Sequence, residues 1–161
     1  MPLRAGVLTV SDTGARGDRE DTSGAAIHEI LTGAEFDIVK YEIVPDERDV
    51  ISARLMEWAD EAALDLVVTT GGTGLGPRDV TPEATRDVIR YEVPGIAEAM
   101  RLDGLKQTPM SMISRAVAGV RGQTLIINLP GSPKGVRENL AVVLPVLRHA
   151  LGLLSGGAAE H

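Results

Sequence analysis

Cysteine is absent from the 161-residue chain, which excludes disulfides and thiolate metal centres and fits a reducing compartment. Aromatic side chains are scarce as well, at 2% of the sequence, with Trp58 the sole tryptophan and Phe36 the sole phenylalanine. A core made under that restriction is filled by Val, Leu, Ile and Ala, which suits stacked α/β layers. There is no basic excess: the formal charge is −7, so neither nucleic acid nor an anionic membrane is an expected partner. No apolar run approaches membrane-spanning length, and Met1-Pro2-Leu3-Arg4 leads straight into a strand pattern rather than a signal-peptide core. The expectation is a soluble, cytoplasmic protein with one domain at 1–154 and a disordered C-terminal tail at 155–161.

Glycine, by contrast, is concentrated where a strand should end. Leu66-Val67-Val68 reads as a strand buried on both faces of a parallel sheet, and it runs through Thr69 and Thr70 into Gly71-Gly72-Thr73-Gly74-Leu75-Gly76-Pro77-Arg78-Asp79. Thr81 then reads as the N-cap of a helix with Pro82 in its first turn. Strand, glycine loop and helix start together predict an anion site, with exposed amides and the helix dipole favouring phosphate. A Walker A loop is excluded because no Gly-Lys-Ser/Thr closes the segment, and the dinucleotide fingerprint is excluded by the alternating spacing of Gly72, Gly74 and Gly76.

Elsewhere, Arg4 to Val10 reads as a strand delivering Ser11 and Asp12 to the ligand edge, followed by a mobile loop over Asp12 to Thr22 and a helix capped by Thr22 or Ser23. Phe36 to Val44 is a second strand, and Asp46 reads as the N-cap of a helix carrying Ile51, Leu55 and Trp58. Helices follow over Pro82 to Arg90 and Ile96 to Leu105, then a loop with a helical turn to Ser114, and β segments at Ala116 to Val120 and Thr124 to Leu129. A second special loop, Pro130-Gly131-Ser132-Pro133-Lys134-Gly135, opens a last helix, which Pro145 should kink or split near Val142. The alternation predicts a three-layer, doubly wound, mostly parallel α/β sheet with both glycine loops on one edge.

Taken in order, Ser11-Asp12, Val44-Pro45-Asp46-Glu47, Thr70 to Gly74, Pro77 to Thr85, Ser114-Arg115 and Asn128 to Pro133 resemble the MogA/MoaB-type molybdenum-cofactor biosynthesis family, including the G domain of gephyrin and its plant counterpart. The resemblance covers Val7 to about Leu154. It implies a molybdopterin adenylyltransferase: ATP and Mg²⁺ are used to attach AMP to the terminal phosphate of molybdopterin, pyrophosphate leaves, and a partner enzyme then inserts molybdate. It implies a homotrimer, with Asp46 and Asp79 as catalytic, metal-holding carboxylates and Ser114 as the serine of the pterin step. A catalytically weak or inactive pterin carrier of the same fold is the alternative.

The residues suit that chemistry, which needs phosphate-positioning amides and carboxylates for a metal. The candidate ligand-binding set is Ser11, Asp12, Gly71, Gly72, Thr73, Gly74, Arg78, Pro130, Gly131, Ser132 and Lys134. Five of the candidates have a plain structural reading beside the functional one: a helix cap for Asp46, an ion pair with Arg78 for Asp79, loop solvation for Asp12, a cap or turn hydroxyl for Ser114 and a solvated lysine for Lys134.

Overall fold

A computed structural model describes residues 2–156 of the chain. Its centre is a six-stranded sheet, five strands of which the sequence pattern already carries. In chain order the strands are β1 (Leu3–Val10), β2 (Phe36–Val44), β3 (Leu66–Thr70), β4 (Tyr91–Glu92), β5 (Ala118–Arg121) and β6 (Thr124–Leu129). The helices are α1 (Asp12–Ala15), α2 (Thr22–Gly33), α3 (Arg48–Asp60), α4 (Thr81–Arg86), α5 (Pro94–Gly104) and α6 (Pro133–Leu154), with a 3-10 turn at Pro109–Ile113. Across the sheet the order is β2-β1-β3-β6-β5-β4. The first four of these neighbours run parallel, while β5 and β4 add an antiparallel flank.

Alternating side chains of the parallel strands feed two separate cores, which is what a strand covered on both faces requires. Val7, Leu66, Val68, Leu125 and Ile127 join Ile27 and Leu31 of α2, Met100 of α5 and Val136, Leu140, Val143 and Leu147 of α6. Leu8, Val67 and Ile126 face the other way, onto Ile51, Leu55 and Trp58 of α3 and Ala84 of α4. This is the expected three-layer arrangement. Thr70 pairs with Leu129, and the Gly71 N–H donates to the Leu129 carbonyl at 3.1 Å, so both glycine loops leave the sheet side by side at one edge.

Several local expectations are corrected. The expected irregular loop after β1 starts as the helical turn α1, because the Ser11 hydroxyl accepts the Gly14 N–H at 3.0 Å. α2 is capped by Asp21, not by Thr22 or Ser23, the Asp21 carboxylate accepting the Gly24 N–H at 2.9 Å. Asp46 does not cap α3: Glu47 stands at that position without a side-chain bond. Thr81 is the first residue of α4 rather than its cap, and its buried hydroxyl donates to the Gly71 carbonyl at 2.9 Å. Pro145 leaves α6 unsplit. It lies on the exposed face, and so does Ala141, whose carbonyl loses its partner there and can turn to water. At the C-terminus Ser155 caps α6, the Gly156 N–H donates to the Leu153 carbonyl at 3.1 Å, and the remainder of the expected tail, 157–161, lies outside the described residues.

Asn128 in β6 stitches the layers together. Its side-chain oxygen accepts the Val117 N–H at 3.1 Å, while its amide donates to the hydroxyls of Thr69 and Thr85, both at 3.0 Å. All of this is buried. Asn128→Ala strands a buried donor and opens a cavity, so urea denaturation is expected to show a loss of about 2–4 kcal/mol.

Candidate functional site

At the carboxyl ends of β1 and β3 lies a cavity of about 320 Å³ whose walls include Ser11, Asp12, Asp46, Gly71, Gly72, Asp79 and Gly131. Its acid residues come from three separate connections, and hydrogen bonds from backbone N–H groups join two of them, Asp12 and Asp46. The Asp46 carboxylate accepts the Asp12 N–H at 2.9 Å, and the Asp12 carboxylate accepts the Asp46 N–H at 2.9 Å. This reciprocal pair joins the ends of β1 and β2. It takes up the Asp46 side chain, which is why none is left to cap α3.

The two carboxylates are biased in opposite directions. Hydrogen bonds from Arg78 hold Asp12 below the usual carboxylate range, the guanidinium reaching both oxygens at 3.1 and 3.0 Å, and the Asp46 N–H adds to this. Asp46 is pushed up, chiefly by burial and further by the charges of Asp12 and Asp79. Arg78 also pairs with Glu47 at 3.0 Å, so its partners are Asp12 and Glu47 and not the adjacent Asp79. The Asp79 carboxylate instead accepts the Gly76 N–H at 3.0 Å. Among the described residues no group of three or more His, Cys, Asp or Glu is placed to hold a metal by itself.

The glycine segment needs its glycines for defined reasons. Gly71 and Gly72 have φ of 99° and 70°, in the left-handed region, and a Cβ on Gly71 would lie 2.3 Å from the Val10 carbonyl oxygen. Thr73 and Gly74 follow but do not line the acidic cavity; their carbonyls accept the backbone N–H and the Nε–H of Arg115, both at 2.8 Å. Arg115 also bonds Glu83 at 2.6 Å and the Asp79 carbonyl at 2.8 Å.

Ser114 lies elsewhere. It lines a second cavity, of about 280 Å³, between α5 and α6, together with Pro130, Ser132 and Lys134. The loop at Pro130 to Ser132 separates the two cavities, Gly131 facing the acidic one. Two residues of the acidic cavity pin it: the Thr70 hydroxyl donates to the Pro130 carbonyl at 2.6 Å and the Ser23 hydroxyl to the Gly131 carbonyl at 2.7 Å. Lys134 is exposed, with Glu138 3.9 Å away. The start of α6 therefore faces the second cavity, and the helix starts bordering the acidic cavity are those of α1, through Ser11 to Gly14, and α2, through Thr22 and Ser23.

Sequence reasoning assigned Asp21 no role, read Ser23 and Thr81 only as helix caps and Arg115 only as part of a motif, and placed none of the four in the site. Asp21 accepts from the Thr9 hydroxyl at 2.7 Å and from Tyr41, whose own ionisation is pushed up by burial and by Asp21. A cap signal was present, since Asp21 precedes the helical pattern of Ile27, Ile30 and Leu31; the long-range bonds of the other three left no local trace.

Comparison with known proteins gives one consistent picture. The profile of the family described as "probable molybdopterin binding domain" matches residues 6–149. The crystal structure of the molybdopterin biosynthesis enzyme MoaB from Thermus thermophilus superposes with a TM-score of 0.92 at 59% identity, covering 98% of this chain and 99% of that one. The molybdopterin adenylyltransferase of Helicobacter pylori strain J99 is 47% identical over 156 residues, which is 96% of this chain and 89% of that protein. The molybdenum cofactor synthesis protein cinnamon of Drosophila melanogaster is 43% identical over 151 residues, 92% of this chain but 25% of its own length.

Proposed function

We propose, from the premise that this chain belongs to the family of molybdopterin binding domains, that it is a molybdopterin adenylyltransferase working in molybdenum cofactor biosynthesis. The reaction joins a terminal phosphate oxygen of molybdopterin to the α-phosphorus of ATP, and the bond from that phosphorus to pyrophosphate breaks. One observation carries the reading: an acidic cavity and a second cavity holding Ser114 share the wall at Pro130 to Ser132, so two substrates can meet across it. Gly71 and Gly72 both border the acidic side; the Gly71 N–H is taken by the Leu129 carbonyl, and it is the Gly72 N–H that suits a phosphate of ATP.

Mg²⁺ fits the acidic side, because it keeps most of its waters and takes only one or two carboxylates with the substrate phosphates. Asp46 and Asp79 would hold it. Burial and neighbouring negative charge disfavour the Asp46 carboxylate, and a cation there would relieve both. When bound, the ion neutralises phosphate charge. The chain's own residues do the rest: the Asp12–Asp46 pair fixes the carboxylate, Arg78 keeps Asp12 ionised, and Ser114 is a hydroxyl for the pterin phosphate.

A cytoplasmic homotrimer that passes its product to a molybdate-inserting enzyme is part of this reading. Among the described residues no helix is long and apolar enough to cross a membrane. Leu102, Met110, Met112 and Ile113 are exposed apolar side chains available to a second copy, and light scattering is expected to give about three times the 17.0 kDa chain mass. The deciding experiment incubates purified protein with molybdopterin, ATP and Mg²⁺ and follows adenylyl-molybdopterin and pyrophosphate. Pterin binding without product would replace the enzyme by a carrier of the same fold.

A further inference from the structure

Arg115 stands between the two cavities and lines neither. It directly follows Ser114, and its N–H holds the Thr73 carbonyl at 2.8 Å. Its side chain donates through Nε to the Gly74 carbonyl at 2.8 Å, through Nη2 to the Asp79 carbonyl at 2.8 Å and through Nη1 to Glu83 at 2.6 Å. The two carbonyls lie on opposite limbs of the glycine segment, and Glu83 is in the first turn of α4. One planar group therefore closes the loop on itself and onto the helix that follows. A guanidinium supplies the fixed fork for this; an ammonium, as a single point, cannot span all three acceptors. The remaining restraints on Asp79 are internal to the loop: its N–H donates to Gly76 at 3.0 Å and its carboxylate accepts the Gly76 N–H at 3.0 Å. Among the described residues outside its own loop, only Arg115 is bonded to Asp79.

We propose that Arg115 is a positioning residue: it sets Asp79 for adenylyl transfer and couples that carboxylate to Ser114 in the neighbouring cavity. This rests on the adenylyltransferase reading above. A residue that acts through Asp79 lowers kcat while leaving molybdopterin affinity nearly alone, and its effect disappears once the Asp79 carboxylate is gone.

The test uses the full-length protein with Arg115→Lys, Arg115→Met, Asp79→Asn and the Arg115→Lys/Asp79→Asn double variant. Arg115→Lys retains a cation for Glu83 but not the fork. Its kcat is expected to fall about 10–100-fold with the molybdopterin KM within about twofold of the parent, Arg115→Met is expected to fall further, and the double variant to be no slower than Asp79→Asn alone. Parental kcat in Arg115→Lys and Arg115→Met, or losses that multiply in the double variant, would overturn the assignment. Amide exchange decides the matter without turnover. In Arg115→Met the amides of Gly76 and Asp79 should exchange at least about tenfold faster while Ile126 in β6 is unchanged. Unchanged exchange at Gly76 and Asp79 overturns the proposal even in an active enzyme. An inactive parent with accelerated exchange in the variant would instead remove the adenylyltransferase reading and leave the loop-closing role standing.

Discussion

Asp46→Asn is expected to lower adenylylation by at least about a hundredfold while the melting temperature hardly moves. The two halves of this expectation have separate physical origins. The asparagine side-chain oxygen can still accept the Asp12 N–H, and the Asp46 N–H still donates to the Asp12 carboxylate, so the lock between β1 and β2 survives. Charge is what disappears. In the folded parent the Asp46 carboxyl is held above its ordinary value of 3.8, so the folded chain binds its proton more tightly than the unfolded chain does. The stability this provides is complete below pH 3.8 and is lost as pH rises through the raised value. Relative to the parent, Asp46→Asn should therefore be equal or slightly more stable at pH 7, with the advantage fading in acid. If the carboxylate holds Mg²⁺ against the ATP phosphates, the same substitution withdraws a ligand where charge is redistributed. Near-parental turnover in an active parent would return Asp46 to a strand-joining role.

What could be read from the chain alone follows the range of the interactions. β3 and β6 were legible because Leu66-Val67-Val68 and Leu125-Ile126-Ile127 are buried on both faces, which leaves an unbroken apolar run. β4 was not, since Tyr91 and Glu92 are exposed and two residues carry no period. The glycine segment announced a ligand edge, but the neighbours that fix its shape are distant in sequence: the Val10 carbonyl, the Leu129 carbonyl and the Arg115 guanidinium. Asp46 shows the same limit more sharply. An aspartate ahead of a helical pattern satisfies every local rule for a cap, and only the fold brings Asp12, 34 residues away, close enough to claim it. The division of the site into two cavities was likewise invisible, because the cavity holding Ser114 lies between α5 and α6 and is parted from the one holding Asp79 by the Pro130 loop, and no spacing in the chain records that packing.

Gly71→Ala is expected to cost the most stability of any single methyl group added to the glycine loops. Three restraints meet at this residue. Its N–H is bonded to Leu129 at the end of β6, its carbonyl accepts the buried Thr81 hydroxyl, and its Cα faces the last carbonyl of β1. An added Cβ would lie 2.3 Å from that Val10 oxygen, a backbone atom held by the sheet rather than a flexible tip. The φ of 99° adds strain for any L side chain. Two other glycines separate these causes. Gly17 has a φ of 79°, and beyond its chain neighbours no atom of the described residues lies within 4 Å of its hypothetical Cβ, so Gly17→Ala bears only the conformational cost, about 1–2 kcal/mol. Gly131 is in neither class: its φ is outside the left-handed region and its Cβ would be in ordinary contact, 3.4 Å from the Gly71 Cα, so Gly131→Ala should stay within about 1 kcal/mol of the parent. Gly71→Ala combines strain with a backbone collision and should lose about 3 kcal/mol or more, equivalent to a fall in Tm of about 6–12 °C at this chain length. Urea and thermal denaturation at one fixed protein concentration check the ranking, since any assembly would otherwise enter the comparison. If Gly71→Ala unfolds with Gly17→Ala, the β1 carbonyl gives way, and the glycine is there for its φ alone.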